Sequence, residues 1–192
     1  MKLHTIFLLA GLLALAACGN DKADPAAAPT EEKAEAPTVT RESLQEAIET
    51  HRTALTGVVD VRDNRPEAMK LVTAYEKYAK NFQSDEKTPM YLFMAGDLAL
   101  QLSKHNHAIN LFDRVLTGYK DHERAPDALF MKAMIYDQHL DQKGRAQALY
   151  QQVIDDFPDH QLAKDAASIL PTLNMSDKEL IEMLKSKEKE QS

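Results

Sequence analysis

The chain repeats itself at an offset of about 38 residues. The stretch that begins "AINLFDRVL" at Ala108 matches the stretch that begins "AQALYQQVI" at Ala146. The matched positions pair Ala108 with Ala146, Leu111 with Leu149, Phe112 with Tyr150, Val115 with Val153, Tyr119 with Phe157, and His122 with His160. A weaker copy lies about 37 residues earlier, where Tyr75 matches Phe112. A period of this length predicts similar structural units that stack one against the next.

The matched apolar positions recur at intervals of three and four residues, which places them on one face of an α-helix. Only 6 of the 192 residues are glycine, and good helix formers such as alanine, leucine, glutamate and lysine dominate the chain. One helical hairpin cannot bury such a face alone, so neighbouring hairpins must cover it. The sequence therefore predicts an all-α fold, a short α-solenoid of helical hairpins.

Residues 66–170 resemble the tetratricopeptide repeat family. The small, aromatic and helix-terminating positions of that family are occupied here by Ala133, Tyr136, Ala146, Tyr150 and Pro158, with Gly96 in the place of Ala133 one unit earlier. The units are slightly longer than the family consensus and lack its tryptophan, as in the divergent repeats of bacterial envelope lipoproteins. Examples are the β-barrel assembly lipoprotein of the outer membrane and the periplasmic cell-division coordinator. The resemblance implies a right-handed solenoid that binds proteins.

Turn and capping residues mark the beginning of the folded part. A first helix is predicted after Thr40, with a capping box formed by Ser43 and Glu46 at its start. Gly57 is expected to end this helix. Pro66 is expected to open the next helix, because proline is favourable in a first turn.

The end of the array is predicted at Pro171, because a proline in a helix interior removes a hydrogen bond and clashes with the preceding turn. Ser176 and Glu179 then form a second capping box ahead of the segment "LIEMLK". We expect the resulting helix to cap the last apolar face of the solenoid. The charged tail, residues 187–192, is expected to fray.

The only cysteine, Cys18, follows an apolar run of about twelve residues, which suits a signal peptide and is too short to span a bilayer. The sequence "LAAC" at residues 15–18 resembles the lipobox of bacterial lipoproteins. The resemblance implies cleavage before Cys18, a thioether-linked diacylglycerol on its sulfur and a third acyl chain on its new amine. Gly19 would be the second residue of the cleaved chain. In that family a residue other than aspartate at this position favours sorting to the outer membrane. An ordinary secretory signal or an uncleaved membrane anchor is the alternative.

The predicted domain organisation has four parts. Residues 1–17 are the signal peptide, 18–39 the lipidated cysteine with an Ala/Pro/Glu-rich tether, 40–186 the repeat domain and 187–192 the tail. The tether has almost no large apolar side chain. It cannot bury enough surface to fold, so we expect it to be disordered.

The first helix of each unit lines a concave binding groove in the tetratricopeptide repeat family. Carried onto this chain, the groove positions are Met90, Phe93, Asp97, Leu100, Gln101, Asp127, Phe130, Met134, Asp137 and Gln138. Methionine and phenylalanine adapt to varied apolar ligands, and the aspartates suit a basic or amide-rich segment. The alternative is that the phenylalanines and methionines belong to the core, because both assignments fit the same helical spacing.

The sequence indicates no catalytic, cofactor-binding or metal-binding residues, since it lacks a phosphate loop, a nucleophile elbow and a zinc-binding motif. The recurrence of His122 and His160 at equivalent turns indicates a structural role. A net charge of −7 argues against a nucleic-acid partner. We therefore expect a non-enzymatic scaffold, anchored in the bilayer, that binds envelope proteins in outer-membrane assembly or cell-wall maintenance. The alternatives are an accessory regulator of a cell-wall enzyme and a lipoprotein that binds a small ligand or glycan.

Overall fold

The computed structural model describes residues 39–190, and every regular element in this range is a helix. The helices are α1 (Arg41–Ala54), α2 (Arg65–Asn81), α3 (Thr88–Gln101), α4 (His105–Gly118), α5 (Ala125–Met134), α6 (Lys143–Asp156), α7 (Gln161–Ile169) and α8 (Asp177–Glu190), with a 3-10 helix at Val61–Asn64 and a π-helical continuation of α5 at Ile135–His139. The predicted all-α fold is confirmed. None of these helices is both long and apolar enough to cross a bilayer. The predicted signal peptide and Cys18 lie outside the described residues.

Helices α1 to α7 pack in chain order, each against the next, and α7 also contacts α5. They form three hairpins, α1 with α2, α3 with α4 and α5 with α6, followed by α7. Short connections at 102–104 and 140–142 make the last two hairpins antiparallel neighbours. Ser103 and Asp141 occupy equivalent places in these connections and both adopt a left-handed backbone, with φ of 61° and 50°. The stack is the predicted solenoid of tetratricopeptide-like hairpins.

Equivalent positions of the repeat are buried to the same degree. The aromatic residue of each second helix, Tyr75, Phe112 or Tyr150, is 1%, 0% or 0% exposed. Tyr75 and Phe112 belong to the apolar cluster that α1 to α4 build with help from α5, and Tyr150 belongs to a second cluster of α5 to α7. The repeat detected in the sequence is therefore a repeat of the core.

The start of α1 differs from the prediction. The backbone N–H of Ser43 donates to Thr40 Oγ1 at 3.1 Å, and the backbone N–H of Thr40 donates to Ser43 Oγ at 3.1 Å. The predicted capping box of Ser43 with Glu46 is wrong, because Ser43 already lies in the first turn and Thr40 is the N-cap. The following turn agrees with expectation, since α1 ends shortly before Gly57, whose φ is 81°.

Helix α8 forms where it was predicted, but it covers little of the last apolar face. Its capping box is confirmed, with the backbone N–H of Ser176 donating to Glu179 Oε2 at 2.8 Å. The helix continues to Glu190 and so includes most of the tail that was expected to fray. Ile181 and Leu184 are each 50% exposed, and no described α8 side chain belongs to either apolar cluster. Its apolar residues span little more than one turn, too few to hold the helix against α7.

Candidate functional site

The ten predicted groove residues all lie on α3 or on α5 and its π-helical continuation. None of them is fully buried. Gln101 and Gln138 are exposed, and the other eight are half-buried. The structure therefore places the whole set between the apolar core and solvent, on the first helices of two consecutive hairpins.

Phe93 and Phe130 each pack against the buried aromatic residue of their own hairpin. The ring centroids of Phe93 and Phe112 lie 5.7 Å apart, and those of Phe130 and Tyr150 lie 5.4 Å apart. Both rings remain half-buried, and the guanidinium carbon of Arg124 lies 5.4 Å from the Phe93 centroid. Each phenylalanine thus shares in the core and also presents part of its ring to solvent, so core and groove are not exclusive here.

The three predicted groove aspartates differ in their charged neighbours. Asp137 accepts a hydrogen bond from Lys143 Nζ at 2.5 Å, and Asp127 lies 3.8 Å from a guanidinium nitrogen of Arg124. Asp97 has no ion-pair partner among the described residues. Of the three carboxylates, that of Asp97 is therefore the best placed to attract a cation from a partner.

The π-helical continuation of α5 places Asp137 beside Tyr150. The Tyr150 side chain is 0% exposed, and within residues 39–190 its hydroxyl makes no hydrogen bond of good geometry. Burial, with a smaller contribution from the Asp137 carboxylate, raises the pKa of Tyr150 to about 12. Tyr150 is therefore neutral at physiological pH, and its ring belongs to the second apolar cluster.

A cleft of about 250 Å³ opens between α1 and α3, with α2 behind it; we call it the α1–α3 cleft. Its apolar lining includes Leu55 at the end of α1, Leu71 of α2, and Phe93 and Leu98 of α3. The cleft is open to solvent. The cleft is thus lined by the first helix α1, its partner α2 and the first helix of the next hairpin, α3.

Polar groups at this cleft come from all three helices. Arg52 of α1 is exposed at the rim, and Tyr75 of α2 is buried at the base. On α3, the side-chain amide of Gln101 donates to Asp97 at 2.9 Å. The sequence predicted the α3 side of the cleft and missed the α1 and α2 sides. The sequence did contain a signal for these two sides, namely the match of Tyr75 to Phe112. This match makes α2 the second helix of a repeat unit, which must be preceded by a first helix.

The histidines of the inter-hairpin turns have a structural role, as predicted. His122 Nδ1 accepts the backbone N–H of Arg124 at 3.1 Å, and His160 Nδ1 accepts that of Leu162 at 3.3 Å. In each case the ring closes the turn that precedes the next helix. The neutral tautomer with the proton on Nε2 is required, because Nδ1 must accept.

Two other histidines pair across the α3–α4 and α5–α6 connections. The rings of His105 and His139 stack with their centroids 4.6 Å apart, and burial together with His139 lowers the pKa of His105. His107 contacts Glu76 at 3.1 Å, on a different side of α4. Within residues 39–190 no group of three or more histidine, cysteine, aspartate or glutamate side chains is placed to hold a metal ion.

A family model described as tetratricopeptide repeat matches residues 127–160. This segment is therefore similar in sequence to one tetratricopeptide repeat. The match runs from the first turn of α5 through α6 to the turn that follows, so it includes the predicted groove residues of α5. The hairpins α1–α2 and α3–α4 each have a buried aromatic residue, Tyr75 or Phe112, at the position that Tyr150 occupies in this segment. No curated protein matches the chain significantly in sequence.

Proposed function

We propose that this protein is a membrane-anchored scaffold that binds other proteins of the bacterial cell envelope through the first helices of its repeats. Tetratricopeptide repeats mediate protein–protein interaction, which supports a protein as the partner. The observation that carries the proposal is the equivalent placement of Phe93 and Phe130, both half-buried and both followed by amide and carboxylate groups at the rim. An adaptable apolar strip with a polar border suits an extended or helical segment of a partner.

The anchor in this proposal is a lipid on Cys18, with the repeat domain in the periplasm and the lipid in the outer membrane. The lipobox resemblance at residues 15–18 and the glycine at position 19 support it. Two or more acyl chains hold a protein stably at a bilayer. A scaffold in outer-membrane assembly or cell-wall maintenance would then meet its partners close to the membrane.

The scaffold is tested by photocrosslinking in cells, with the crosslinking residue at Gln101 or Gln138, both exposed and on first helices. Asn110, an exposed residue of the second helix α4, is the matched control. We expect the same envelope protein to be captured from both test positions and not from Asn110. Equal capture at all three positions, or none at the two test positions, would contradict binding through the first helices.

The anchor is tested by Cys18→Ser. We expect this variant to lose incorporation of an alkyne-labelled fatty acid and to move from the membrane fraction to the soluble periplasmic fraction, because serine has no sulfur to alkylate. Gly19→Ser keeps Cys18 and is expected to keep its lipid, so it controls for a change at the cleavage region. A Cys18→Ser protein that still carries fatty acid would overturn the anchor.

A further inference from the structure

The α1–α3 cleft has the size for one large side chain. Its volume of about 250 Å³ lies below the 300–1,000 Å³ that is typical of sites for small organic ligands. Leu71 and Leu98 in its lining are only 5% and 7% exposed, so the inner part of the cleft is apolar. A peptide lying across α1 and α3 would present single side chains to such an opening.

The base of the cleft holds a polar group without a partner. Tyr75 is 1% exposed, and its ring packs against that of Tyr91 with the two centroids 5.1 Å apart. Its hydroxyl has no hydrogen bond to any described residue. Burial raises the pKa of Tyr75 to about 12, so the hydroxyl is protonated at neutral pH and can donate. A tyrosine hydroxyl that lacks a protein partner and belongs to a residue lining an open cleft is a place for an acceptor from a ligand.

The charges around the cleft favour a basic neighbour of the inserted side chain. The Arg52 guanidinium is already paired with Glu49, one turn earlier on α1, at 3.3 Å. On the opposite wall, the only side chain of the described part of the chain that hydrogen-bonds to Asp97 is the neutral amide of Gln101. The three charged groups together carry one net negative charge, which a lysine or arginine of the partner would neutralise.

We propose that the α1–α3 cleft binds a partner segment that inserts one large apolar side chain beside a lysine or arginine, with a backbone carbonyl of the segment accepting from Tyr75 and the basic group on Asp97. This specificity site rests on the proposed scaffold function and deepens it. According to this proposal, the residues that discriminate most between partner sequences lie on the first hairpin and α3. They are outside the segment 127–160 that matches the repeat family.

The test begins with selection of displayed random twelve-residue peptides on the full chain in detergent. Selected sequences are then made as capped, fluorescent peptides, and their binding is measured by anisotropy. We expect the selected peptides to share a large apolar residue within two positions of a lysine or arginine. Tyr75→Phe removes only the hydroxyl and is expected to weaken binding about two- to tenfold.

Asp97→Asn keeps the shape of the side chain and is expected to weaken binding about two- to fivefold. Changing the basic residue of the peptide to glutamine should weaken binding to the wild type and have little further effect on Asp97→Asn, because the two groups act as a pair. Asp121→Asn, at an exposed aspartate of the α4–α5 turn, is the matched control and should leave the affinity unchanged.

The outcomes separate this site from the scaffold itself. Selected peptides whose affinity is unchanged by both Tyr75→Phe and Asp97→Asn would overturn the cleft while leaving the scaffold intact. A small molecule seen on the purified chain by native mass spectrometry, and lost in Tyr75→Phe, would overturn a peptide as the occupant. Failure to select any peptide, together with no adduct at Gln101 or Gln138 in cells, would overturn both the site and the scaffold.

Discussion

Replacing Phe112 with alanine is expected to lower the free energy of unfolding by about 3–5 kcal/mol. Phe112 is 0% exposed in the apolar cluster that α1 to α4 share, and its ring packs against Phe93. Removing the ring forfeits its burial and leaves a cavity that the surrounding helices fill only in part. Natural domains are stable by only about 5–15 kcal/mol, so this single change would remove a large fraction of the total.

The measurement is urea unfolding of the full chain, followed by circular dichroism of the helices. Phe157→Ala is the matched control, because it removes the same atoms from a half-buried ring at the end of α6. We expect it to cost less than half as much. Each hairpin of a solenoid is stabilised mainly by its neighbours, so Phe112→Ala should also broaden the transition. Equal losses for the two variants would contradict the central position of Phe112.

The burial of Phe112 could be predicted from the sequence because the helical spacing and the repeat spacing both place an apolar residue at that position. It lies on the apolar face of its helix, and it also matches Tyr75 and Tyr150 in the neighbouring repeats. A residue that satisfies both the helical spacing and the repeat spacing must face the core of a stacked array. The same reasoning located α2 to α7 and the histidines of the turns.

Helix ends were harder to predict, because the same short sequence can form a capping box at either of two positions. The segment "TRESLQE" offers Thr40 with Ser43 and also Ser43 with Glu46 as capping boxes. The structure uses the earlier pair, which adds almost a turn to α1. At the other end, the capping box of α8 was predicted and found, yet the packing of that helix was not, since a local motif contains no information about what a helix contacts.

The position of α1 at the α1–α3 cleft was harder to predict than that of α3, because the connection from α1 to α2 obscures the repeat. That connection spans residues 55–64 and contains a 3-10 helix, whereas the equivalent connections span 102–104 and 140–142. The longer connection shifts α1 out of the 38-residue register, so that offset pairs Leu55, just after the end of α1, with Phe93 inside α3. Helices α1 and α3 both pack against α2, and it is this packing of the folded chain that places them on either side of the cleft.

Whether Phe93 and Phe130 belong to the core or to a binding face was left open by the sequence for a geometric reason. A first helix in a solenoid contacts its partner helix on one side and the next hairpin on another, and the boundary of the apolar face falls between them. Residues at that boundary have the spacing of core residues. The structure shows both rings half-buried, each in contact with a buried aromatic residue.

Gly96→Ala is expected to lower the free energy of unfolding by about 1–2 kcal/mol. A methyl group at this position would lie 2.6 Å from Phe112 Cε1, with two further ring carbons at 2.9 and 3.0 Å. Phe112 is fully buried, so its ring cannot move aside without displacing its own neighbours. Overpacking of this kind costs about 1–3 kcal/mol. The better helix propensity of alanine offsets up to about 1 kcal/mol of that cost.

The sign of the stability change in Gly96→Ala shows whether close packing or helix propensity dominates at this position. Gly144 is the second residue of α6 and has nothing within 4 Å of an added methyl group, so Gly144→Ala should stabilise the chain by up to about 0.5 kcal/mol, less than in a helix interior. A stabilising Gly96→Ala would mean that α3 and α4 do not approach as closely as the structure has them.

The double variant Gly96→Ala with Phe112→Leu tests the contact itself. Leucine is smaller than phenylalanine and leaves room for the added methyl group, so the double variant should be more stable than the sum of the two single losses predicts. Residues in direct contact couple by about 0.5–3 kcal/mol, and a value near 1 kcal/mol is expected here. If the losses of the two single variants simply add in the double variant, the strain caused by Gly96→Ala does not come from its contact with Phe112. A favourable coupling would locate it between α3 and α4, where the small residue that the repeat requires lets the two helices pack closely.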